Sequence, residues 1–375
     1  MGRIAVTIKL TYLVSHPIQY QAPLLRRLER EEGIDLRVVF ERSDLGGASF
    51  DPGFARSIEW DLPLTEGYDH VALAETDLYS EIKRSDVLWL HGWRGPVMRR
   101  ALVLSRRLDI PVLMRGENCD LAMPDGGGPK GWLKRLYLDW VFAHCHGFLA
   151  IGSENENYYR ARGVGPEKIF MTPYAVDNES FAAKAKAAHP RRLDLKAGFG
   201  IGPEQKVVLF AGKFMARKRP DLLVAAMERL DGPGGKPALV FVGSGEMEER
   251  LRVLAPGAVF LGFRNQSELP PLYEMADVFV LPSVREPWGL AINEAMACAT
   301  AVIASDQVGC AADLIKSDCG RVFRSGDAAA LADALTQCLG RSEEMGRAAA
   351  GTIKHWGYDE DIDGLKRATA YINAG

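Results

Sequence analysis

Short apolar runs separated by helix-patterned stretches recur along this chain, and that alternation limits its fold more than any other feature. Leu10 to Ser15, Leu36 to Phe40, Asp86 to His91, Ile110 to Met114 and Phe148 to Ile151 are aliphatic and too short for helices, and read as strands. Between them, Ala22 to Arg30, with Leu24, Leu25 and Leu28 on one face, Pro96 to Leu108 and Trp132 to Ala143 read as helices. A second series begins at Val207 to Gly212. It continues through Ala238 to Val242, Val259 to Leu261, Val278 to Leu281, Ala301 to Ser305 and Gly320 to Phe323. The pattern predicts an α/β fold of parallel sheets covered on both faces, with ligands beyond the carboxyl ends of the strands. His16, His91, Arg115, Glu117 and Ser153 are then expected around one cleft. At 375 residues the chain fits two such units. Ala182 to Gln205, rich in alanine, lysine and glycine, reads as the linker between them. Asp44 to Glu59, with Gly46-Gly47 and Asp51-Pro52-Gly53, reads as a surface loop, Gly126 to Gly128 as a loop tip, and Trp356 to Ala374 as a helix.

The chemistry concentrates after the strand ending at Leu281, in Ser283-Val284-Arg285-Glu286-Pro287-Trp288-Gly289-Leu290-Ala291-Ile292-Asn293-Glu294-Ala295-Met296-Ala297. Pro282 ends the strand, and helical spacing starts after Gly289. Glu286 therefore lies in a strand-to-helix loop and Glu294 about one turn into the helix. Backbone amides from Gly289 to Ala291 sit at a positive helix end, where a diphosphate would be held. The two carboxylates would flank it and accept from sugar hydroxyls. A second turn, Gly212-Lys213-Phe214-Met215-Ala216-Arg217-Lys218-Arg219-Pro220, gathers four cations before a helix opening near Pro220. Fixed cations there would attract an anion; a solvated basic turn is the plainer alternative. Val242-Gly243-Ser244-Gly245-Glu246 is a third turn of this kind, and by itself weak.

The Glu-x7-Glu spacing with its Pro-Trp-Gly-Leu and Glu-Ala-Met-Ala context resembles the signature of retaining GT-B glycosyltransferases of family four, the group 1 type. The resemblance covers nearly the whole chain and is densest from 207 to 325. It implies two Rossmann-like domains, residues 1–185 with a crossover helix at 357–375, and residues 186–356. It implies that Lys213, Lys218 and Glu286 carry the transfer, Lys213 and Lys218 on the diphosphate and Glu286 on donor sugar hydroxyls. Donor binding would fall to Gly212, Gly243, Gly262, Phe263, Arg264, Pro287, Trp288, Gly289, Leu290, Ala291 and Glu294, the last on ribose hydroxyls. Gly262-Phe263-Arg264-Asn265 resembles the loop whose backbone reads the base. His16-Pro17-Ile18-Gln19-Tyr20 resembles a subgroup with that motif.

Departures fall mostly in the first domain. Many relatives carry a histidine where this chain has Met114-Arg115-Gly116-Glu117-Asn118; Arg115 and Glu117 either take over its contacts or form a buried ion pair. His91 either faces the cleft or caps its strand. Tyr174-Ala175-Val176-Asp177 replaces Asn-Gly-Val-Asp, so only Asp177 carries over. Downstream, Ala301 stands for a proline and Cys310 for a glycine.

The expected activity is hexosyl transfer with retention from a nucleotide-sugar, a UDP-sugar first among them, without metal or cofactor. The acceptor is a glycan, a lipid-linked glycan or a small molecule, in surface polysaccharide or glycoconjugate synthesis. A nucleotide-sugar epimerase and a non-catalytic nucleotide-sugar-binding subunit are the alternatives. A formal charge of −3 gives no reason to expect nucleic acid. No apolar run reaches membrane-spanning length and the amino terminus lacks a leader pattern. Six cysteines without Cys-x-x-Cys fit a reducing cytoplasm, and His144-Cys145-His146 has no second cluster to complete a metal site. Asp359-Glu360-Asp361 reads as solvated charge. Lys130 to Trp140 mixes basic and aromatic residues and leaves room for weak association with the inner membrane face, but an ordinary core-facing helix is the expectation. Residues 1 to 180 hold 22 Lys and Arg against 25 Asp and Glu, so strong electrostatic anchoring is not expected.

Overall fold

The computed structural model describes residues 7–121, 126, 128–230 and 235–374. Met1 to Val6 of the amino-terminal stretch and Gly127 of the loop tip lie outside them. The chain forms two compact units. Met1–Gly47, Leu62–Tyr174 and Tyr358–Gly375 make the first, and Ala48–Asp61 with Ala175–Gly357 the second.

Strands of the first half are β1 (Ile8–Val14), β2 (Ile34–Phe40), β3 (Ser49–Asp51), β4 (Arg56–Ile58), β5 (His70–Ala72), β6 (Val87–His91), β7 (Val112–Arg115), β8 (Gly147–Ala150) and β9 (Ile169–Met171). Helices here are α1 (Ala22–Leu28), α2 (Leu78–Lys83), α3 (Pro96–Leu108), α4 (Gly128–Phe142) and α5 (Ser153–Arg160). All strands but β3 and β4 join one parallel sheet of order β5-β2-β1-β6-β7-β8-β9. β6 and β7 are buried nearly throughout because helices cover both faces of the sheet. Leu88, Leu90, Met98, Leu102, Val112 and Met114 share its core.

The second unit continues with α6 (Asn178–Ala188), α7 (Arg192–Gly198), β10 (Val207–Ala211), α8 (Pro220–Met227), β11 (Ala238–Val242), α9 (Glu248–Leu254), β12 (Val259–Phe260), α10 (Leu269–Met275), β13 (Val278–Leu281), α11 (Leu290–Ala297), β14 (Ala301–Ser305), α12 (Ala311–Leu314), β15 (Gly320–Phe323), α13 (Ala328–Leu339) and α14 (Ser342–Ile353). Its parallel sheet runs β12-β11-β10-β13-β14-β15, so strand order reverses between β10 and β13. In such a sheet that reversal opens a crevice beyond the strand ends. α15 (Tyr358–Ala374) packs on β8 and β9 of the first unit.

Four expectations are corrected here. Asp44 to Glu59 is not a plain loop: β3 and β4 form an antiparallel hairpin, and its residues from Ala48 belong to the second unit. The boundary expected at 185/186 falls at 174/175. Ala182 to Gln205 is no linker, because α6 buries Phe181, Ala185 and Ala188 and packs on α10. Alanines and lysines are strong helix formers, which explains the outcome. Finally, α4 is not an ordinary core-facing helix: it buries Leu138, Val141 and Phe142 but leaves Trp132, Leu133 and Leu136 exposed.

Candidate active site

At the reversal point of the second sheet, the loops after β10 and β13 meet. Val284 N–H donates to the Arg217 carbonyl at 2.9 Å, which ties the two loops together. Lys218 Nζ forms an ion pair with Glu286 Oε2, and Arg217 Nη1 lies 3.5 Å from the same oxygen. Glu286 is only 8% exposed, so its charge depends on these cations rather than on water. Its backbone is fixed as well. Glu286 N–H donates to Gln307 O at 3.1 Å, Gly309 N–H to Glu286 O at 3.0 Å, and Cys310 N–H to Trp288 O at 3.0 Å.

α11 starts beside this pair, with Gly289 at its amino end and no side chain capping it. That end therefore presents backbone amides and the positive end of the helix dipole. Within α11, Glu294 accepts from Tyr273 Oη at 2.7 Å. Burial pushes the Glu294 carboxyl up to about 7, against the opposing pull of that hydrogen bond.

Trp288, expected on the donor, is placed otherwise. It is buried, its Nε1 donates to Asn293 Oδ1 at 3.0 Å, and its ring lies 5.7 Å from that of Trp356. It holds the loop in shape. Arg264 Nη1 donates to Glu268 Oε1 at 3.1 Å.

The loops after β10, β11 and β12 are stitched together. Gly212 N–H donates to Val242 O, Phe214 N–H to Ser244 O, and Gly243 N–H to Gly262 O, all within 2.8–2.9 Å. The β3–β4 hairpin covers them. Lys213 Nζ donates to both Asp51 oxygens, at 2.9 and 2.8 Å. Ser244 Oγ donates to Phe54 O at 2.8 Å, and Phe54 meets the Phe263 ring edge-on at 5.1 Å.

The first unit holds a separate polar network at its own reversal point, between β1 and β6. Tyr12 Oη bonds to Gln21 Oε1 and lies 2.6 Å from His91 Nδ1. Tyr174 Oη lies 3.3 Å from His91 Nε2 and donates to Glu117 Oε1 at 3.0 Å; Tyr20 Oη donates to the same oxygen at 3.1 Å. Burial, reinforced by Arg115 and His16, pushes His91 down to about 3, so its imidazole is neutral. Burial and the Glu117 carboxylate push Tyr20 and Tyr174 well above the usual phenol range, so both remain donors. His16 is exposed and bonds through Nδ1 to Ser15 Oγ at 2.8 Å.

Arg115 does not line a cleft. It is 1% exposed, and its Nη1 and Nη2 donate to Asp361 on α15 at 3.1 and 2.7 Å, with Nη2 also on Thr172 O. Asp361, expected in solvent, is likewise buried. Of His144-Cys145-His146, the outer pair bond the backbone at Trp140 O and Val112 N, and Cys145 bonds Val141 O. No three His, Cys, Asp or Glu side chains among the described residues gather as a metal set. Asp51 and Tyr273, which contact the candidate residues Lys213 and Glu294, were not singled out from the sequence. Asp51 lies far from its partner in sequence, and Tyr273 sits in an apolar helix with no motif around it.

Two parallel sheets, each with a reversal of strand order, make two Rossmann-like units of the GT-B fold. The chain superposes on a glycosyltransferase from Rickettsia africae ESF-5 with a TM-score of 0.76 at 14% identity, covering 98% of this chain and all of that one. Anabaena HepE in complex with UDP gives 0.72 at 15%, covering 97% and 100%. Such identities establish the fold alone. Residues 192–354 match the model for glycosyl transferases group 1, and residues 18–175 that for a glycosyl transferase 4-like domain. Each half of the chain thus matches a glycosyltransferase domain model, and the two matches together cover most of its length. It is 29% identical over 295 residues to the D-inositol 3-phosphate glycosyltransferase of Xylanimonas cellulosilytica, covering 73% of this chain and 69% of that protein. For the enzyme of that name from Stackebrandtia nassauensis the identity is 33% over 293 residues, covering 72% and 64%. The chain thus spans about two thirds or less of most such relatives' length.

Proposed function

We propose that this chain transfers a hexosyl group from a nucleotide-sugar, a UDP-sugar first, to a hydroxyl of a glycan, lipid-linked or small-molecule acceptor. Transfer proceeds with retention and without a metal ion. The observation that carries this reading is the Lys218–Glu286 pair beside the uncapped end of α11, at the reversal point of the second sheet.

In this reading, Lys213, Lys218 and the amides at Gly289 to Ala291 take the donor diphosphate. As the bond from the anomeric carbon to phosphate breaks, they stabilise the charge gathering on the leaving group. The acceptor oxygen bonds to the same face of that carbon and its proton passes to a leaving phosphate oxygen, which preserves configuration. Glu286 holds the sugar hydroxyls and Glu294 the ribose. The work would take place in the cytoplasm. Exposed Trp132, Leu133 and Leu136 near Lys130 and Arg135 support weak contact with an anionic inner membrane face.

Calorimetry against UDP, GDP, ADP and their sugars, in the presence of a chelator, tests the reading. One nucleotide should bind, and Lys218→Ala should weaken it at least about tenfold, the equivalent of one charged contact. A Lys218→Ala protein that binds like the wild type would remove the assignment, and binding that requires a divalent ion would remove metal independence.

A further inference from the structure

The hairpin from Ala48 to Asp61 is the least explained part of the second unit. It is two strands of three residues each, too short to be stable alone. Its attachments go to three loops the donor reading needs. At the first, Asp51 spends both carboxylate oxygens on Lys213 Nζ. At the second, Ser244 Oγ donates to Phe54 O. At the third, Asn265 Nδ2 donates to Glu59 O at 2.7 Å and Ser267 N–H to Asp61 Oδ2 at 3.1 Å, while the Arg56 guanidinium lies 5.1 Å over the Phe263 ring.

The crossing is built for close approach. A Cβ on Gly53 would stand 2.5 Å from Lys213 Cδ, and one on Gly245 would stand 3.0 Å from Gly53 O. The atoms around Gly245 are backbone, so a side chain there would push the turn off the loop after β11, whereas the neighbour at Gly53 is the bendable Lys213 side chain. Asp51 is held in place by its own turn as well, accepting from Gly53 N–H at 2.8 Å and Phe54 N–H at 3.2 Å. Burial raises its carboxyl, but Lys213 and these amides outweigh that and leave it below the usual carboxylate range. A charged carboxylate thus sits on the cation that would receive a diphosphate.

We propose that this hairpin is a releasable strap over the donor loops, in which Asp51 stands in for a donor phosphate on Lys213. The proposal rests on the donor-site reading above. A carboxylate and a diphosphate repel each other across a few ångströms, so they do not share one ammonium group. The diphosphate carries more charge, takes Lys213, and loosens the hairpin by leaving it on its remaining attachments to Ser244, Asn265 and Ser267. The strap screens Lys213 from other anions until a nucleoside diphosphate arrives.

Asp51→Asn keeps the shape of the side chain and the turn but loses the charge. Calorimetry on the full chain with UDP, GDP and ADP should show the nucleotide that binds doing so about three- to tenfold more tightly in Asp51→Asn. Asp35→Asn, which makes the same change in net charge on an exposed face of β2, should leave affinity unchanged. Hydrogen exchange over residues 48–61 should quicken in the wild type when that nucleotide is added, and be quick without it in Asp51→Asn. Equal or weaker nucleotide binding by Asp51→Asn, or slower exchange of 48–61 on binding, overturns the strap while leaving the donor site standing. If neither protein binds any of the three nucleotides, the donor-site reading falls and the strap with it.

Discussion

Glu294 and His91 both have their charged forms disfavoured by burial, and the consequence has opposite sign for an acid and a base: the carboxyl rises to about 7 and the imidazole falls to about 3. An unfolded glutamate titrates near about 4.3. Between that value and about 7 the folded chain keeps a proton that the unfolded chain has released. Glu294 therefore withdraws stability as pH rises through this window, and the loss is complete above about 7. Because Glu294 is only partly buried, we expect a loss of about 1–3 kcal/mol rather than the full value of the shift. In Glu294→Gln the amide oxygen can still accept from Tyr273, so the hydrogen bond is kept and the titration removed. Urea midpoints for both proteins at pH 5 and pH 8 should show the variant gaining on the wild type at the higher pH. Parallel curves would mean that Glu294 titrates normally. The same proton sets the ribose contact in the proposed reaction, since only the ionised carboxylate accepts through all its lone pairs.

The unit that bears the candidate chemistry is β13, its following loop and α11, clamped from the side by residues 307–310. Gly309 shows how tight the clamp is: a Cβ there would stand 2.0 Å from Pro287 O. Gly309→Ala must push the two loops apart and break the bonds at Glu286 N–H, Glu286 O and Trp288 O. We expect a cost of about 1–3 kcal/mol in stability and a weaker nucleotide complex, read as a lower melting temperature and a higher Kd. An unchanged Kd would separate the clamp from the site. This element was legible in the sequence because each of its parts has a local signature. An apolar run ends in Pro282, a glycine starts a helix, and two carboxylates fall at fixed spacing. Lys218 and Glu286 were each assigned a donor role from their own motifs, but the ion pair between them appears only in the structure. The hairpin was not legible. Gly46-Gly47 and Asp51-Pro52-Gly53 announce turns, but what Asp51 touches lies 162 positions away and leaves no local pattern. Arg115 was ambiguous for the same reason. A charge at the end of a strand looks the same in a cleft or on a buried partner until the partner, on α15, is located.

Across the molecule, the first unit is assembled from three separated pieces of chain, and its most buried charge is neutralised by the last of them. Arg115 on β7 meets Asp361 on α15, each nearly sealed from solvent. Removing one partner leaves the other as a buried unpaired charge, so Arg115→Met should cost about 3–5 kcal/mol. Arg115→Met with Asp361→Leu should recover much of that, because two apolar side chains replace the pair. Urea midpoints decide it: a single variant as stable as the wild type would show that water reaches the pair. The distance along the chain has a temporal consequence. Asp361 follows Arg115 by 246 residues. At about 5–20 residues per second it leaves the ribosome roughly 12–50 seconds later. Through that interval β7 carries a cation that no dry core accepts, and the unit synthesised first cannot close.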